Sequence, residues 1–396
     1  MNDPTTLSKK LDIIIPTKNR YSTLVPAVCA ILSKLESRDY RILIYDNTPE
    51  HAKPSTPQLP QDPRVSYHHD PQDIDAVENF NRAIDQVQSE FAILIGDDDL
   101  MLPSVFEAIA QMERLNLDCL IQQRPTYYWP GVKFSREIEY FSPASLLITR
   151  NISNTVVELD ALEELNTVLD RGAIYLFNLP ALYHGLLRTR ILKQVREKYG
   201  SYVFGPSPDI SLAMLIAHSI QRYGLYGTPF SIAGASFNSA AGMGRRDEHS
   251  ATLDQAPAWL PKEMLKKWDP ALPKIWNGFT VYAQSLYLVG QRINMPVHIN
   301  YEALYKKMLS DNFLDIQFMK GESAPSQPPR LRTIAVGFII YALRKIVMYI
   351  PKVLLNILVR RRPAFRFQAF YSDIQCPVAC ITKAESHIAR FITPYR

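Results

Sequence analysis

The feature that most constrains the fold is a short apolar run, residues 91–95, which ends at Gly96 and three consecutive carboxylates, Asp97, Asp98 and Asp99. Such a run, bounded by Gly and acid, is typical of a strand buried on both faces, as in a parallel sheet covered by helices. Adjacent carboxylates repel one another, so they need a countercharge, and a divalent cation is the usual one. The alternative is a solvated acidic turn that caps the next helix.

The segments before this run alternate between strand and helix patterns. Strands are predicted at residues 11–16, 41–47 and 64–68, and helices at 24–35 and 76–87. This alternation predicts parallel βαβ units, whose ligands gather at the carboxyl ends of the strands. We therefore expect Asp46, at the end of the second strand, to share one sheet edge with the acidic triplet.

Composition limits the class of protein. A chain of 396 residues is long enough for a catalytic-size domain and an appendage. Cys29 and Cys119 lie in apolar runs, which is typical of reduced, buried thiols on the cytosolic side. Most of the formal charge of +5 comes from basic residues near the C-terminus, interleaved with aliphatic rather than aromatic residues. This pattern disfavours a nucleic-acid partner.

The second half of the chain contains a lone acidic residue and a small-residue stretch. Asp209 follows Pro208 in the first turn of a helix predicted over residues 210–220, where a carboxylate either stabilises the helix start or serves a site. Residues 233–244 are rich in Ser, Ala and Gly and predict either a lid over a ligand or an ordinary surface loop. Helical patterns without strand alternation follow. We therefore predict domains at residues 1–240, a helical appendage at 241–325 and a basic apolar tail at 326–396.

The basic apolar tail has the composition of a segment that can contact a membrane surface. Residues 333–362 combine aliphatic side chains with cations at intervals, and Pro351 divides them. We expect either peripheral contact with a membrane through residues 331–366 or a pair of helices packed on the core. The polar N-terminus and the lack of a run of about 18 apolar residues argue against secretion and against a spanning helix. The expected location is the cytoplasm, with possible attachment to the inner face of the membrane.

Four motifs resemble a known family. They are Ile13-Ile14-Ile15-Pro16-Thr17-Lys18-Asn19-Arg20, Ile44-Tyr45-Asp46-Asn47, Asn79-Phe80-Asn81-Arg82-Ala83-Ile84 and Ile93-Leu94-Ile95-Gly96-Asp97-Asp98-Asp99. Their order and spacing are similar to those of the inverting glycosyltransferases of family 2, over roughly residues 10–240. The resemblance implies an α/β GT-A fold, a Rossmann-like nucleotide-sugar-binding domain with a mostly parallel central sheet, here followed by a C-terminal helical region.

The resemblance also implies roles for individual residues. Asp46 would hydrogen-bond the base, and Asp98 would face the ribose or phosphate. Asp209 would be the catalytic base that takes the proton from the acceptor hydroxyl. The nucleotide-sugar-binding residues would be Pro16, Thr17, Asn19, Arg20, Asp46, Asn79, Arg82, Asp97, Asp98 and Arg245.

The acidic triplet resembles the DxD motif of this family. The resemblance implies that Asp97, Asp99 and His249 hold a Mn²⁺ or Mg²⁺ ion that bridges the diphosphate. A cation in that position would stabilise the charge that grows on the leaving group. The sequence departs from the usual family pattern at Asp46-Asn47-Thr48-Pro49 and at Pro208-Asp209.

These observations favour a metal-dependent glycosyltransferase, with a nucleotide-sugar donor and a glycan or lipid-linked acceptor, in cell-surface polysaccharide synthesis. A catalytically silent sugar-nucleotide-binding or scaffold protein is one alternative. A sugar nucleotidyltransferase is another, although the first strand leads into Thr17-Lys18-Asn19-Arg20 without the Gly-rich loop typical of that class.

Overall fold

The computed structural model describes residues 9–37, 39–54, 59–72, 74–135, 137–138, 140–246, 250–256, 260–311, 324–348 and 368–392, with only the backbone described for Lys262 and residues 347–348. The strands are β1 (Leu11–Thr17), β2 (Tyr40–Asp46), β3 (Val65–His69), β4 (Phe91–Leu94), β5 (Leu100–Met101), β6 (Cys119–Gln122), β7 (Thr126–Tyr128), β8 (Ser145–Thr149), β9 (Val156–Leu159), β10 (Leu186–Arg188), β11 (Tyr223–Tyr226), β12 (Ser231–Ala235), β13 (Ser250–Thr252), β14 (Ile275–Asn277) and β15 (Gln368–Tyr371).

The helices are α1 (Tyr21–Lys34), α2 (Ala76–Asp85), α3 (Val105–Leu115), α4 (Ala161–Asp170), α5 (Thr189–Tyr199), α6 (Pro208–Ala217), α7 (Ala240–Arg245), α8 (Lys262–Lys266), α9 (Gly278–Arg292), α10 (Tyr301–Asp311), α11 (Leu331–Met348) and α12 (Pro377–Ala389).

The central sheet has the order β3-β2-β1-β4-β10-β6-β11-β9 within the described ranges. Strands β3, β2, β1 and β4 are parallel, as the alternating sequence pattern predicts. Strand β10 is antiparallel to both of its neighbours, which the sequence pattern did not indicate. The predicted GT-A fold, with a mostly parallel central sheet and a helical C-terminal region, is confirmed.

Both faces of the sheet are covered. All seven residues of β1 are buried. Ile13 and Ile15 pack into an apolar core on one face, whereas Ile14 packs into the core on the other. Because successive side chains of a strand point to opposite faces, this explains why the strand is a continuous β-branched run.

A second sheet, of order β15-β8-β7-β12-β5, lies beside the acidic turn. Strand β5 follows Asp99 directly and pairs with β12, so the turn is held between the two sheets. The aromatic residues Tyr127 and Tyr128 belong to β7 of this sheet.

The two predicted boundaries, after residues 240 and 325, do not separate independent domains among the described residues. Strand β15 pairs with β8, and α12 packs on α1, so residues 368–392 belong to the α/β domain and not to a separate tail. Helix α9 packs on α6, and Leu286 and Leu304 share one core with Ile14 of the central sheet. The appendage predicted at residues 241–325 is therefore helical but has no separate core among the described residues.

Helix α11 packs on α10 and leaves part of its surface open. Its exposed large apolar residues are Leu331, Phe338, Ile339, Leu343 and Ile346, and the most exposed is Leu331 at 85%. Across the ranges that the structure describes, no helix combines the length and the apolarity needed to cross a membrane. The rest of the predicted membrane-contact segment, residues 349–366, lies outside the described residues.

Candidate functional site

A cavity of about 520 Å³ opens at the carboxyl ends of β1, β2 and β4. This is the edge at which parallel α/β sheets bind ligands. The ends of these three strands and the segments that follow them contribute Pro16, Thr17, Lys18, Asn19, Arg20, Asn47, Gly96, Asp97 and Asp98. The other walls consist of Ile74, Ala76, Asn79, Phe80, Tyr183, Gly234, Asn238, Ser239, Ala240 and Ala241.

Asp97 is a buried carboxylate on the cavity wall. Thr17 Oγ1 donates to its Oδ2 at 2.6 Å, and Arg20 Nη1 lies 2.9 Å from its Oδ1. That Oδ1 has no aligned hydrogen-bond donor. Burial raises the pKa of Asp97 to about 7, because the Arg20 charge offsets the desolvation only in part.

Asp98 shares the Arg20 guanidinium with Asp97. Its Oδ2 lies 3.0 Å from Arg20 Nη2 and accepts hydrogen bonds from the Ser236 backbone N–H at 3.0 Å and from Ser236 Oγ at 2.7 Å. Its Oδ1 accepts no hydrogen bond from a described residue. Arg20 therefore supplies a countercharge for two carboxylates, each of which keeps one oxygen with unused hydrogen-bonding capacity.

Asp99 is only 1% exposed and does not line the cavity. Its Oδ1 accepts from the Gly234 N–H at 2.6 Å. Its Oδ2 accepts from the Gly96 N–H at 2.5 Å and the Tyr183 hydroxyl at 3.0 Å, with His184 Nε2 also at 3.0 Å. Burial would raise its pKa, but the charge and hydrogen bond of His184, with the two backbone donors, lower it to about 2. The structure does not support Asp99 as a metal ligand, because protein donors already surround both of its oxygens.

The backbone around Asp99 is tightly fitted. A Cβ atom on Gly234 would lie 1.9 Å from the Asp98 carbonyl oxygen, so only Gly fits there. His184 has a φ of 60°, an uncommon conformation for a residue with a Cβ, and its Nδ1 lies 2.8 Å from Ser231 Oγ of β12. This arrangement fixes the acidic turn to β12.

Asp46 is fully buried and has no place in the cavity lining. Its Oδ1 accepts from the Thr48 N–H at 2.8 Å, and its Oδ2 accepts from the hydroxyl groups of Tyr21 and Tyr67. Asp46 thus faces its own loop and two tyrosines, and its contact with the base stays a prediction. Its neighbour Asn47 lines the cavity instead.

Asn79 reaches the cavity from α2, as predicted. Its Nδ2 lies 3.5 Å from the carbonyl oxygens of Thr17 and Tyr45, while its buried Oδ1 accepts no hydrogen bond. A buried amide oxygen without a donor is uncommon and indicates a place for a ligand N–H or O–H.

Four of the predicted nucleotide-sugar-binding residues in the first motif, Pro16, Thr17, Asn19 and Arg20, line the cavity. Arg82 does not, since it pairs with Asp70 at 2.5 Å and Glu78 at 2.6 Å.

Arg245 also lies outside the cavity lining, because its guanidinium is 5.3 Å from the ring centre of Tyr128. The predicted metal ligand His249 is outside the described residues.

Asp209 lies in the first turn of α6, at the edge of the core, and is not part of the cavity lining. Its Oδ2 accepts a hydrogen bond from the Tyr282 hydroxyl at 2.7 Å, and its Oδ1 accepts from the Ser207 hydroxyl and from the Ile210 N–H at 2.9 Å. Burial, followed by the Asp209 charge, raises the pKa of Tyr282 well above its ordinary value, and the Arg124 charge opposes this. Tyr282 therefore stays a neutral donor to Asp209.

Several cavity residues were not predicted as site residues, including Asn47, Tyr183, Asn238 and Ser239. The Ser, Ala and Gly content of residues 233–244 indicated the region. The structure shows β12 and α7 there, and the Ser239 hydroxyl accepts from the Gly242 N–H at 3.1 Å. Tyr183 had no recognisable sequence signal.

Asp97 and Asp98 are the carboxylates of the cavity lining and therefore the candidates for holding a metal ion. No group of three or more His, Cys, Asp or Glu residues that could hold a metal occurs within the part of the chain that the structure describes. Mg²⁺ is commonly held by one or two carboxylates together with substrate phosphates and water. Asp97 and Asp98, each with a free Oδ1 lone pair, fit that smaller set, whereas Asp99 does not.

The sequence model of the family described as Glycosyl transferase family 2 matches residues 12–170. The family that the motifs indicated is therefore confirmed for this segment, which contains β1, β2, α2 and the acidic turn. Among curated proteins, no sequence matches this chain.

Solved structures give only weak likenesses. The crystal structure of S. aureus TarS 1-349 in complex with UDP-GlcNAc is 15% identical, with a TM-score of 0.43, over 98% of this chain and 93% of that chain. The complex of the same fragment with UDP gives 15% and 0.41 over the same shares. A longer S. aureus TarS chain is 14% identical, with a TM-score of 0.40, over 58% of this chain. The present chain spans 37% of the length of that TarS chain. At TM-scores below 0.5, these likenesses carry no argument about substrate or mechanism.

Proposed function

We propose that the protein is an inverting glycosyltransferase that moves a sugar from a nucleoside-diphosphate sugar to an acceptor hydroxyl. The observation that carries this proposal is the cavity. Asn79 and Asp97 both line it; Asn79 has a buried oxygen that accepts no hydrogen bond, and Asp97 is a buried carboxylate whose Oδ1 meets the Arg20 charge at 2.9 Å. Most of the residues that line this cavity lie within the segment that matches a glycosyltransferase family, which supports a nucleotide-sugar as the ligand.

Asn79 is the residue that we assign to the nucleobase. Its free Oδ1 would accept an N–H of the base, the role that the resemblance gave to Asp46. Asn47 lies on the same cavity wall and would contact the nucleoside from the end of β2. A hydrogen bond made to an otherwise unpaired buried group improves both affinity and discrimination.

Arg20, Asp97 and Asp98 form the part of the cavity that we assign to the diphosphate. Asp97 and Asp98 are the residues that would hold Mn²⁺ or Mg²⁺, which would supply Lewis-acid stabilisation of the diphosphate leaving group. Arg20 lies on the same two carboxylates and would neutralise them in the free protein and contact the phosphates in the complex. Asp99 would hold the turn in place through the Gly96 and Gly234 N–H groups.

Asp209 is the proposed general base. It would accept the proton of the acceptor hydroxyl as that oxygen attacks the anomeric carbon from the face opposite the diphosphate, which inverts the configuration. The Tyr282 and Ser207 hydroxyls would hold its carboxylate in position. A base that serves the acceptor need not line the donor cavity.

We further propose a glycan or a lipid-linked acceptor, as in cell-surface polysaccharide synthesis, and peripheral attachment at the cytoplasmic face of the membrane. The exposed apolar residues of α11, together with Arg332 and Lys345 on the same helix, support this part. Apolar side chains that insert at the interface, with cations beside anionic lipids, provide reversible attachment.

The proposal is tested by thermal-shift measurements with UDP, GDP, CDP and dTDP and their common sugar conjugates, with and without Mn²⁺. One nucleotide class should raise the melting temperature, and its sugar conjugate should be consumed. Binding without consumption would favour a silent sugar-nucleotide-binding protein. No stabilisation by any nucleotide would contradict the proposal.

A further inference from the structure

An exposed aromatic cluster lies on the side of the protein where Asp209 is found. Tyr175 is 49% exposed and Phe177 is 37% exposed, both in the segment between α4 and β10. Tyr175 packs edge-on against Phe177 at 5.8 Å and against Phe279 of α9 at 6.2 Å between ring centres. We call these three rings the aromatic platform. Exposed aromatic surface of this kind commonly marks a binding site.

The platform is held in a fixed shape although it is exposed. The residues between and beside its rings, Ile174 and Leu176, pack against the main core. The Arg171 guanidinium lies 4.7 Å from the Phe177 ring centre, and Lys307 Nζ lies 5.8 Å from that of Tyr175. Cation–π contacts and the packing of Ile174 and Leu176 on the core restrain the rings. The rings therefore lose little conformational entropy when a ligand binds them.

The platform is connected to the proposed catalytic base. Phe279 and Tyr282 are three residues apart on α9 and therefore share one face of that helix. The Tyr282 hydroxyl donates to Asp209 at 2.7 Å. Tyr175 is close enough to Tyr282 to contribute to the rise of its pKa. Phe279 of the platform thus lies about one helical turn from Tyr282, the residue that positions Asp209.

We propose that the aromatic platform is the acceptor subsite, on which a sugar ring of a glycan acceptor stacks against Tyr175 and Phe177. Pyranose rings present a face of C–H groups that packs on aromatic side chains, while their hydroxyl groups remain in water. A ring stacked there would bring a neighbouring hydroxyl toward Asp209. This inference depends on the proposed function, since it assigns the acceptor of that same reaction.

The test is the retention of the protein on a glycan array that includes chitotetraose, cellotetraose and maltotetraose, followed by titration with the glycan retained best. Tyr175→Ala and Phe177→Ala should each weaken binding about tenfold, which corresponds to about 1.4 kcal/mol. Tyr175→Phe should stay within about twofold of the wild type, because it keeps the ring. Phe391→Ala, which removes an exposed ring just after α12, is the matched control and should bind like the wild type.

Equal glycan binding by the wild type and the Tyr175→Ala, Phe177→Ala double variant would overturn the inference, as would retention of no glycan by the wild type. Thermal shift with the four nucleoside diphosphates, measured on the same preparations, separates the two proposals. A protein that binds a nucleotide but no glycan contradicts the acceptor subsite alone. A protein that binds no nucleotide contradicts the proposed function itself.

Discussion

The contacts in the acidic turn predict that substitutions at two adjacent residues, Asp98 and Asp99, have different effects on stability and on nucleotide binding. Asp99→Asn should destabilise the protein, whereas Asp98→Asn should leave it stable but remove metal-dependent nucleotide binding. The reason is their surroundings: Asp99 is enclosed by donors, while Asp98 lines the cavity with one oxygen that accepts no hydrogen bond from a described residue.

The magnitudes follow from the contacts. Asn at position 99 would place an NH₂ group against N–H and O–H donors and remove the negative charge beside His184, 3.0 Å away. Each buried donor that loses its acceptor in this way costs about 1–3 kcal/mol. Asn at position 98 can keep its oxygen on Ser236 and turn its NH₂ group toward the cavity. Its cost should be about 1 kcal/mol, since Arg20 keeps Asp97 as a partner.

The assay measures melting temperature and Mn²⁺-dependent nucleoside-diphosphate affinity for both variants. Asp99→Asn should melt several degrees lower, and Asp98→Asn should melt near the wild type but bind at least tenfold more weakly in Mn²⁺. An Asp99→Asn protein with wild-type melting and no Mn²⁺-dependent binding would refute the reasoning, because Asp99 would then be the ligand.

Three further positions give independent predictions, and the pH dependence adds one more. The raised pKa of Asp97 means that the folded protein holds a proton between about pH 4 and 7 that the unfolded chain has lost, so this group lowers stability as pH rises toward 7. Mn²⁺-dependent nucleotide affinity should rise over that range and level off above pH 7, and Asp97→Asn should leave only the dependence that comes from the nucleotide's own terminal phosphate in a titration series. Gly234→Ala should lower the melting temperature and weaken nucleotide binding, because its Cβ would meet the Asp98 carbonyl oxygen; unchanged melting would mean that the two backbones are not in close approach. Asn79→Ala should weaken nucleoside-diphosphate binding about tenfold with little change in melting, as measured by calorimetric titration, and equal affinity would remove Asn79 from the base site. Phe338→Glu should reduce co-flotation with vesicles that contain anionic phosphatidylglycerol, and unchanged flotation would exclude this face of α11 from the membrane contact.

The parallel half of the fold was predictable because it follows from local patterns. β1 and β4 are buried on both faces, and the helices predicted at residues 24–35 and 76–87 are confirmed as α1 and α2. The position of the cavity at the carboxyl ends of these strands follows from the topology alone.

The remaining features depend on contacts between distant parts of the chain. β10 and β15 are short strands whose pairing is decided by packing and not by their own pattern. Asp46 and Asp99 do not line the cavity for a related reason: a carboxylate at the end of a strand can face the ligand or its own loop. Which of the two occurs depends on Thr48 for Asp46 and on Gly234 for Asp99.

The most direct test of the central claim is hydrogen–deuterium exchange of the full chain with and without the nucleoside diphosphate and Mn²⁺ that stabilise it best. The account predicts slower exchange in the segments after β1 and β4, at the start of α2 and in residues 234–241, which together form the cavity wall. Slower exchange confined to other regions, with none around Asn79 and Asp98, would contradict the assignment of this cavity to the nucleotide-sugar.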